Sequence, residues 1–198
     1  MAVLTLTQFK GGVGKTTCAV CLATLLSDDK PTLLIDSDPN RSASLWARKG
    51  LLPFECCDDS KAPKLLMSGK FGHVVIDTPA RPSSEEIESL AAGCDLLILP
   101  STPDPLALSA LAQIARSLPD GTNYKCLLTI TPPPPQKDAD EARAALQRHG
   151  LPMFNRAIRR YKAYIKAADQ CLPVNKVQGG GLAWHDWRSL WEELKDVI

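Results

Sequence analysis

No apolar run in this chain of 198 residues approaches the ~18 that a membrane-crossing helix needs, and no basic-then-apolar leader is present. Membrane spanning and secretion are therefore not expected, and a cytoplasmic protein is. Net charge is almost absent as well. Lys and Arg number 23 against 22 Asp and Glu, so the total of +1 says nothing about a polyanion partner, and only the distribution can. Internal repeats and a flexible interdomain linker are also missing. With 44% hydrophobic residues, enough for one substantial core, a single domain over 1–198 is expected. Cysteine is not scarce, but the seven present are an odd number. Cys18 and Cys21 could share a helix face, yet no second pair stands at metal-ligand spacing, so small buried thiols are the simpler reading.

What is present is an alternation of short apolar strands and helices. Strands are expected at Val3–Phe9, Thr32–Ile35 ending on Asp36, weakly at Phe54–Cys57, at His73–Ile76 ending on Asp77, and at Cys94–Leu99 and Tyr124–Ile130. Helices are expected at Lys15–Ser27, Ser42–Lys49, Ser83–Ala92 and Pro105–Leu118, with Glu85 and Glu86 suiting the positive end of the third. Continuous apolar strands of this kind belong to an α/β fold, a mostly parallel central sheet with helices on both faces, of the P-loop NTPase type. Pro132–Pro135 can be neither helix nor central strand. It reads as a stiff loop at a strand's carboxyl end, where open α/β sheets bind ligands, and Pro133 is a candidate for the adenine side of such a site.

Directly after the first strand stands Lys10-Gly11-Gly12-Val13-Gly14-Lys15-Thr16-Thr17. Three glycines let a backbone curl tightly and aim its N–H groups at phosphate oxygens, and the following helix adds its positive end. Lys15 can bridge the terminal phosphates of ATP, and the Thr16 hydroxyl can ligate Mg²⁺ directly. The common G-x-x-x-x-G-K-T pattern would place its first glycine at Phe9, and Lys10 is a lysine which that pattern does not contain. Asp36, Asp38 and Asp77 fall at or just past strand ends. Asp36 and Asp77 can anchor the water shell of Mg²⁺, and Asp38 can hold the attacking water; alternatively, strand-end aspartates cap the next helices. No residue of this set except Lys10 supplies positive charge for a transition state. Leaning away from its own loop, Lys10 could reach a phosphate held by a second copy of the chain.

Lys10–Thr17, Asp36-Ser37-Asp38-Pro39 and Asp77-Thr78-Pro79 resemble the deviant Walker A ATPases of the ParA/MinD group. The short length, the lack of an N-terminal DNA-reading domain and the Arg156-Ala157-Ile158 and Tyr164-Ile165-Lys166 regions look like the small plasmid-partition branch typified by ParF, whose relatives also position carboxysomes. The resemblance implies an ATP-dependent homodimer that binds DNA nonspecifically on the nucleoid, with hydrolysis stimulated by a ParB-like or cargo-adaptor protein. It also implies that Lys10 is the signature lysine, Lys15 the phosphate-loop lysine, Thr16 the Mg²⁺ ligand, Asp38 the hydrolytic carboxylate of switch I, and Asp77 the Walker B-like residue. Gln8-Phe9 and Asn40-Arg41 depart from the usual residues at their positions, and Arg81 adds a charge after the third motif.

The charge distribution adds a separate indication. Arg143, Arg148, Arg156, Arg159, Arg160, Lys162 and Lys166 lie in a stretch from 143 to 168 that contains no acidic residue. Arg159, Lys162 and Lys166 can share a helical face, with Ile158, Tyr161 and Ile165 packing inward, and Arg156 and Arg160 join them as candidates for contact with a phosphate backbone. An ordinary solvated face is the plain alternative. Near the C-terminus, Trp184, Trp187, Leu190, Trp191, Leu194 and Ile198 stand at helical spacing, but acids outnumber bases among them, the wrong sign for anionic lipid. This segment is expected to pack on the domain. Two other readings of the whole chain stay open: a metabolic or cofactor enzyme on the same fold, and a nucleotide-gated scaffold that scarcely hydrolyses.

Overall fold

The computed structural model describes residues 1–198. Strand alternation sorts the core into two layers. In β5 (Leu96–Ser101), which is buried throughout, Leu96 and Ile98 enter a large cluster on one face while Leu97 and Leu99 enter a smaller one on the other. β1 (Ala2–Gln8), β2 (Thr32–Asp36), β3 (Glu55–Asp58), β4 (His73–Ala80) and β6 (Tyr124–Leu128) complete a six-stranded sheet in the order β3-β2-β4-β1-β5-β6. Every pairing is parallel. All the strands thus end on one edge, and the register sets Asp36 beside Asp77 there.

The large cluster is covered by α1 (Lys15–Leu26), α7 (Lys162–Gln170) and α8 (Gly181–Leu194); the opposite face by α4 (Ser84–Ala92), α5 (Pro105–Ser117) and α6 (Asp138–Arg148). Two short helices, α2 (Ser42–Ala47) and α3 (Ala62–Met67), flank β3. α1 has no capping side chain and no acid in its first turn, and it is apolar on all sides. It persists because the sheet, α2 and α8 surround it, so tertiary packing replaces amphipathicity. Cys18 and Cys21 are buried within it, and burial pushes both thiols up.

Strand and helix ends differ from the sequence expectation by a few residues. β5 starts two residues later and continues through Ser101, and β6 stops at Leu128. α3 and α6 were not anticipated, although Asp138, Asp140 and Glu141 in the first turn of α6 are a readable start signal. The C-terminal aromatics do pack inward, with Trp187, Leu190 and Leu194 fully buried against α1. Gly180 permits the turn into α8: a Cβ there would lie 1.7 Å from the Val174 carbonyl oxygen. No helix is long and apolar enough to cross a membrane.

Candidate functional site

The chain leaves β1 through Gly11-Gly12-Val13-Gly14, with Gly12 and Gly14 at φ 79° and 84°. L-residues rarely adopt these angles, which is the local reason for glycine at both positions. Gly14 is the N-cap of α1, so the loop opens onto a helix N-terminus, with Thr16 and Thr17 in its first turn. Val13 is buried, and its carbonyl accepts a hydrogen bond from the Thr129 hydroxyl at 2.8 Å, which ties the loop to the end of β6. Gln8, one of the departures from the usual motif, is also structural. Its amide donates to the Pro100 carbonyl at 3.1 Å and its Oε1 accepts the Phe9 N–H at 2.8 Å, bracing the end of β1 against β5.

Beneath the loop lie the groups that its anion would meet. Lys15 is only 7% exposed, and burial lowers its pKa while the nearby Asp77 and Asp38 charges oppose that shift. Asp36 and Asp77 are both fully buried. One Asp36 oxygen accepts the Ser44 N–H and hydroxyl at 2.8 and 2.7 Å, so the helix-capping alternative holds for that half of the carboxylate. The other Asp36 oxygen and both Asp77 oxygens have no hydrogen-bond partner. Buried carboxylate oxygens without partners are costly, and three together at a strand edge fit a hydrated divalent cation. No group of His, Cys, Asp and Glu forms a closed metal cage. The donors therefore suit Mg²⁺, which keeps waters and shares ligands with phosphate: Thr16 through its hydroxyl, Asp36 and Asp77 through the water shell.

Asp77 yields a pH prediction. Burial pushes its carboxyl up to about 6 from 3.8, opposed by the nearby Thr16 hydroxyl, which is too poorly aligned for a full hydrogen bond, and by the Lys15 charge, with the Asp36 charge adding to the rise. Between these values the folded chain holds a proton that the unfolded chain has released, so stability of the ligand-free protein falls as pH rises through the window. Above it the full cost is present. Asp77→Asn should thus stabilise the protein in chelator at about pH 7.5 by on the order of 2 kcal/mol, or roughly 5 °C in Tm, and the gain should vanish near pH 4. Differential scanning calorimetry at both pH values is the check, and a variant with a lower Tm at the higher pH contradicts the assignment.

Asp38 is half-buried, and one of its oxygens accepts the Asn40 backbone N–H at 2.8 Å and side-chain amide at 2.9 Å. It is held by its own turn, with the second oxygen free to orient a water. Arg41 at φ 52° precedes α2, donates to the Asp36 carbonyl and lies 3.6 Å from Asp59. The Asn40-Arg41 departure thus stiffens this loop.

Lys10 is ion-paired outside the cluster of Asp36, Asp38 and Asp77. Its ammonium donates to Asp104 at 2.8 Å, and that carboxylate also accepts the Ala107 N–H at the start of α5. Bonding to Lys10 and to Thr102 holds the Asp104 carboxyl down at about 2. Sequence reasoning did not single out Asp104, although Asp followed by Pro105 is a readable helix start.

Beside Gly14, Thr17 and Cys18 lies a cavity of about 170 Å³ whose far walls include Ile130, Ile158, Tyr161, Tyr164 and Trp187. The space adjoins the phosphate loop on one side and apolar and aromatic side chains on the other, a lining of the kind that takes a planar ring. Ile130 is a β-branched residue at φ 53°, a strained conformation of the kind that collects at ligand sites. Pro133 is exposed and is not part of the cavity wall, whereas Thr131 is hydrogen-bonded to the 158–160 segment. None of the cavity residues was named as a base contact from the sequence, and an Ile in the left-handed region leaves no local signature.

The basic stretch needs a larger correction. α7 begins only at Lys162, so Arg159 shares no helical face with Lys162 and Lys166, and Ile165 is 74% exposed rather than packed inward. Arg159 grips the fully buried Asp186 through contacts of 2.6 to 3.2 Å, and Arg156 lies 3.2 Å from the same carboxylate. Breaking such a buried pair costs on the order of 3–5 kcal/mol, against at most ~1 kcal/mol for an exposed ion pair. Arg156 and Arg159 therefore serve the fold through Asp186, with their side chains still partly exposed. Arg160, Lys162 and Lys166 are exposed and carry no ion pair.

A family model described as the CobQ/CobB/MinD/ParA nucleotide binding domain matches residues 4–174. The maintenance of carboxysome distribution protein A of Gloeobacter kilaueensis is 39% identical over 195 residues, spanning 93% of this chain and 90% of its own. An ATP complex of Cyanothece McdA carrying an Asp-to-Ala change superposes with a TM-score of 0.74 at 19% identity, over 98% of this chain and 96% of that one. The Mg-ADP complex of septum site-determining protein MinD from Pyrococcus horikoshii gives 0.72 at 18% identity, over 98% and 95%.

Proposed function

The chain belongs to the CobQ/CobB/MinD/ParA nucleotide-binding family, and we propose that it is the ATP-driven dimerising ATPase of a cargo-positioning or partition system. It hydrolyses ATP to ADP and phosphate, with ATP and Mg²⁺ as cofactors. The observation that supports the reading most is a glycine loop opening onto α1, with partnerless buried oxygens on Asp36 and Asp77 and a second lysine, Lys10, held by Asp104 instead of by those carboxylates. The 39% likeness to a carboxysome-distribution protein over nearly the full length favours cargo positioning within the family.

The chemistry follows from the site. The glycine loop, Lys15 and the N-terminus of α1 bind and orient the triphosphate. Mg²⁺, when bound, neutralises charge on the phosphate oxygens. Asp38 holds the attacking water in line, and positioning with charge neutralisation supplies most of what phosphoryl transfer needs. Lys10 completes the site of a second copy in a face-to-face homodimer, so that nucleotide and dimer stabilise each other. Arg160, Lys162 and Lys166 then form a patch that pairing doubles, which raises affinity for DNA through multivalency rather than through new contacts. That places the ATP-bound protein on the nucleoid, to be released when an adaptor or ParB-like partner stimulates hydrolysis.

Replacing Arg160, Lys162 and Lys166 together by alanine should weaken ATP-dependent DNA binding equally on unrelated duplexes and reduce the slope of log affinity against log salt by roughly one for each lost phosphate contact. Fluorescence anisotropy at several salt concentrations measures both. An unchanged slope assigns the patch to solvent. If wild-type protein binds DNA no better with ATP than with ADP, the nucleoid part of the reading fails.

A further inference from the structure

The acidic, tryptophan-rich character of α8 plays no part in the phosphate chemistry, yet Trp187 lines the cavity and Asp186 and Glu193 bond to the chain that forms or leads into its wall. Glu193 accepts the Asn155 and Arg156 backbone N–H groups at 2.6 and 2.7 Å. Asp186 accepts the Arg159 N–H at 3.1 Å in addition to binding its guanidinium. Trp187 donates its indole N–H to the Tyr164 hydroxyl at 3.0 Å. The Trp187 bond falls on α7, while those of Glu193 and Asp186 hold the segment 155–161, which is neither helix nor regular strand. It is also fixed at the end of β6, where Ile158 N–H donates to the Leu128 carbonyl and Arg160 N–H to the Thr131 carbonyl, and by α6, whose Arg143 guanidinium donates to the Asn155 carbonyl. This same segment supplies Ile158, Arg159, Arg160 and Tyr161 to the wall of the cavity beside the phosphate loop.

We propose that α8, chiefly through Asp186, is the positioning element for recognition of the nucleotide base, a proposal that rests on the ATP reading of the site. A fully buried carboxylate facing two arginines is tolerable only with its bonds intact, so the wall segment is pinned wherever Asp186 is folded. The Arg159 guanidinium, oriented by that carboxylate, sits 5.4 Å from the centroid of the Tyr161 ring and sets its attitude at the cavity. Ordering of the wall is completed during folding instead of being charged against binding, which is how a pre-formed pocket gains affinity. The base is the ligand part affected; the phosphates, on the loop from Lys10 to Thr17, are not.

The discriminating experiment titrates the full chain with ATP and, separately, with inorganic tripolyphosphate, both with Mg²⁺. Asp186→Asn should weaken ATP binding about ten-fold and leave tripolyphosphate binding as in wild type, since only the base loses its pre-ordered wall. Loss of both ligands in equal proportion would reduce α8 to a packing helix and overturn the proposal. Neutralising a buried acid can prevent folding, so Glu193→Ala, at the half-buried rim, is the second variant. It should lower the ratio of ATP to tripolyphosphate affinity about three-fold, and an unchanged ratio counts against the proposal. Wild-type protein that binds ATP no more tightly than tripolyphosphate defeats the proposal while leaving the phosphate site standing. Wild-type protein that binds neither defeats the nucleotide reading itself.

Discussion

Lys10→Ala is expected to leave ATP bound to a monomer and to lower hydrolysis by about 10³-fold, the scale on which a cationic finger acts in phosphoryl transfer. The reason lies in the direction of the side chain. Lys15 already serves the loop from below, buried with Asp77 and Asp38 around it. Lys10 instead leans across to Asp104 at the start of α5, and both side chains are partly exposed. An exposed ion pair of this kind is worth at most ~1 kcal/mol, so it can be exchanged for a phosphate carried by a second copy. Replacement by alanine should cost the fold little and should remove the contact across the dimer. Analytical ultracentrifugation and a phosphate-release assay on the same samples test both halves. A variant that dimerises with ATP and hydrolyses at the wild-type rate removes Lys10 from the account.

Asp38→Ala should separate hydrolysis from assembly. Turnover is expected to fall by about 10²-fold or more, the usual scale for loss of a positioned proton acceptor or water-orienting group, while ATP binding and dimer formation persist. Asp38 is suited to this because its turn with Asn40 fixes the carboxylate without burying it, and because it is not needed to hold the loop. Asp77 and Asp36 behave differently, since they are buried in the sheet edge and changing them alters stability as well. Single-turnover hydrolysis beside a nucleotide-binding titration separates the two effects. Unchanged turnover in the variant would assign the water to another group, and a wild-type enzyme as slow as the variant would favour a nucleotide-gated scaffold.

The parts of the site that were legible in the sequence are those built from neighbours in the chain. Lys10–Thr17 carries its own geometry, because glycine at φ 79° and 84° is needed wherever the loop is used. Asp36 and Asp77 were readable because apolar runs end on them, and parallel register set them side by side, although β4 continues past Asp77 to Ala80. Contacts between distant residues were not readable. Asp186 stands 27 residues beyond Arg159 in the chain, so a strip of basic residues that looked free had two members already neutralised. The helical face assigned to Arg159 failed for a related reason: the bonds of 155–161 to β6 and α8 keep that segment extended, and α7 starts only after it. The cavity beside the loop was invisible because its walls come from Gly14 and α1, the residues just after β6, the 158–161 segment, α7 and α8 together, and its strained Ile130 has no sequence mark. Pro133 was legible as part of a stiff loop, and the structure leaves it exposed beside the end of β6.

The central claim is that ATP joins two copies of this chain. The most direct test is the mass of the wild-type protein by sedimentation equilibrium in Mg²⁺ with ATP or with ADP, using the slow Asp38→Ala protein if hydrolysis depletes the nucleotide. The account predicts a doubled mass with ATP and a monomer with ADP. A monomer in both, with ATP shown to be bound, would contradict it.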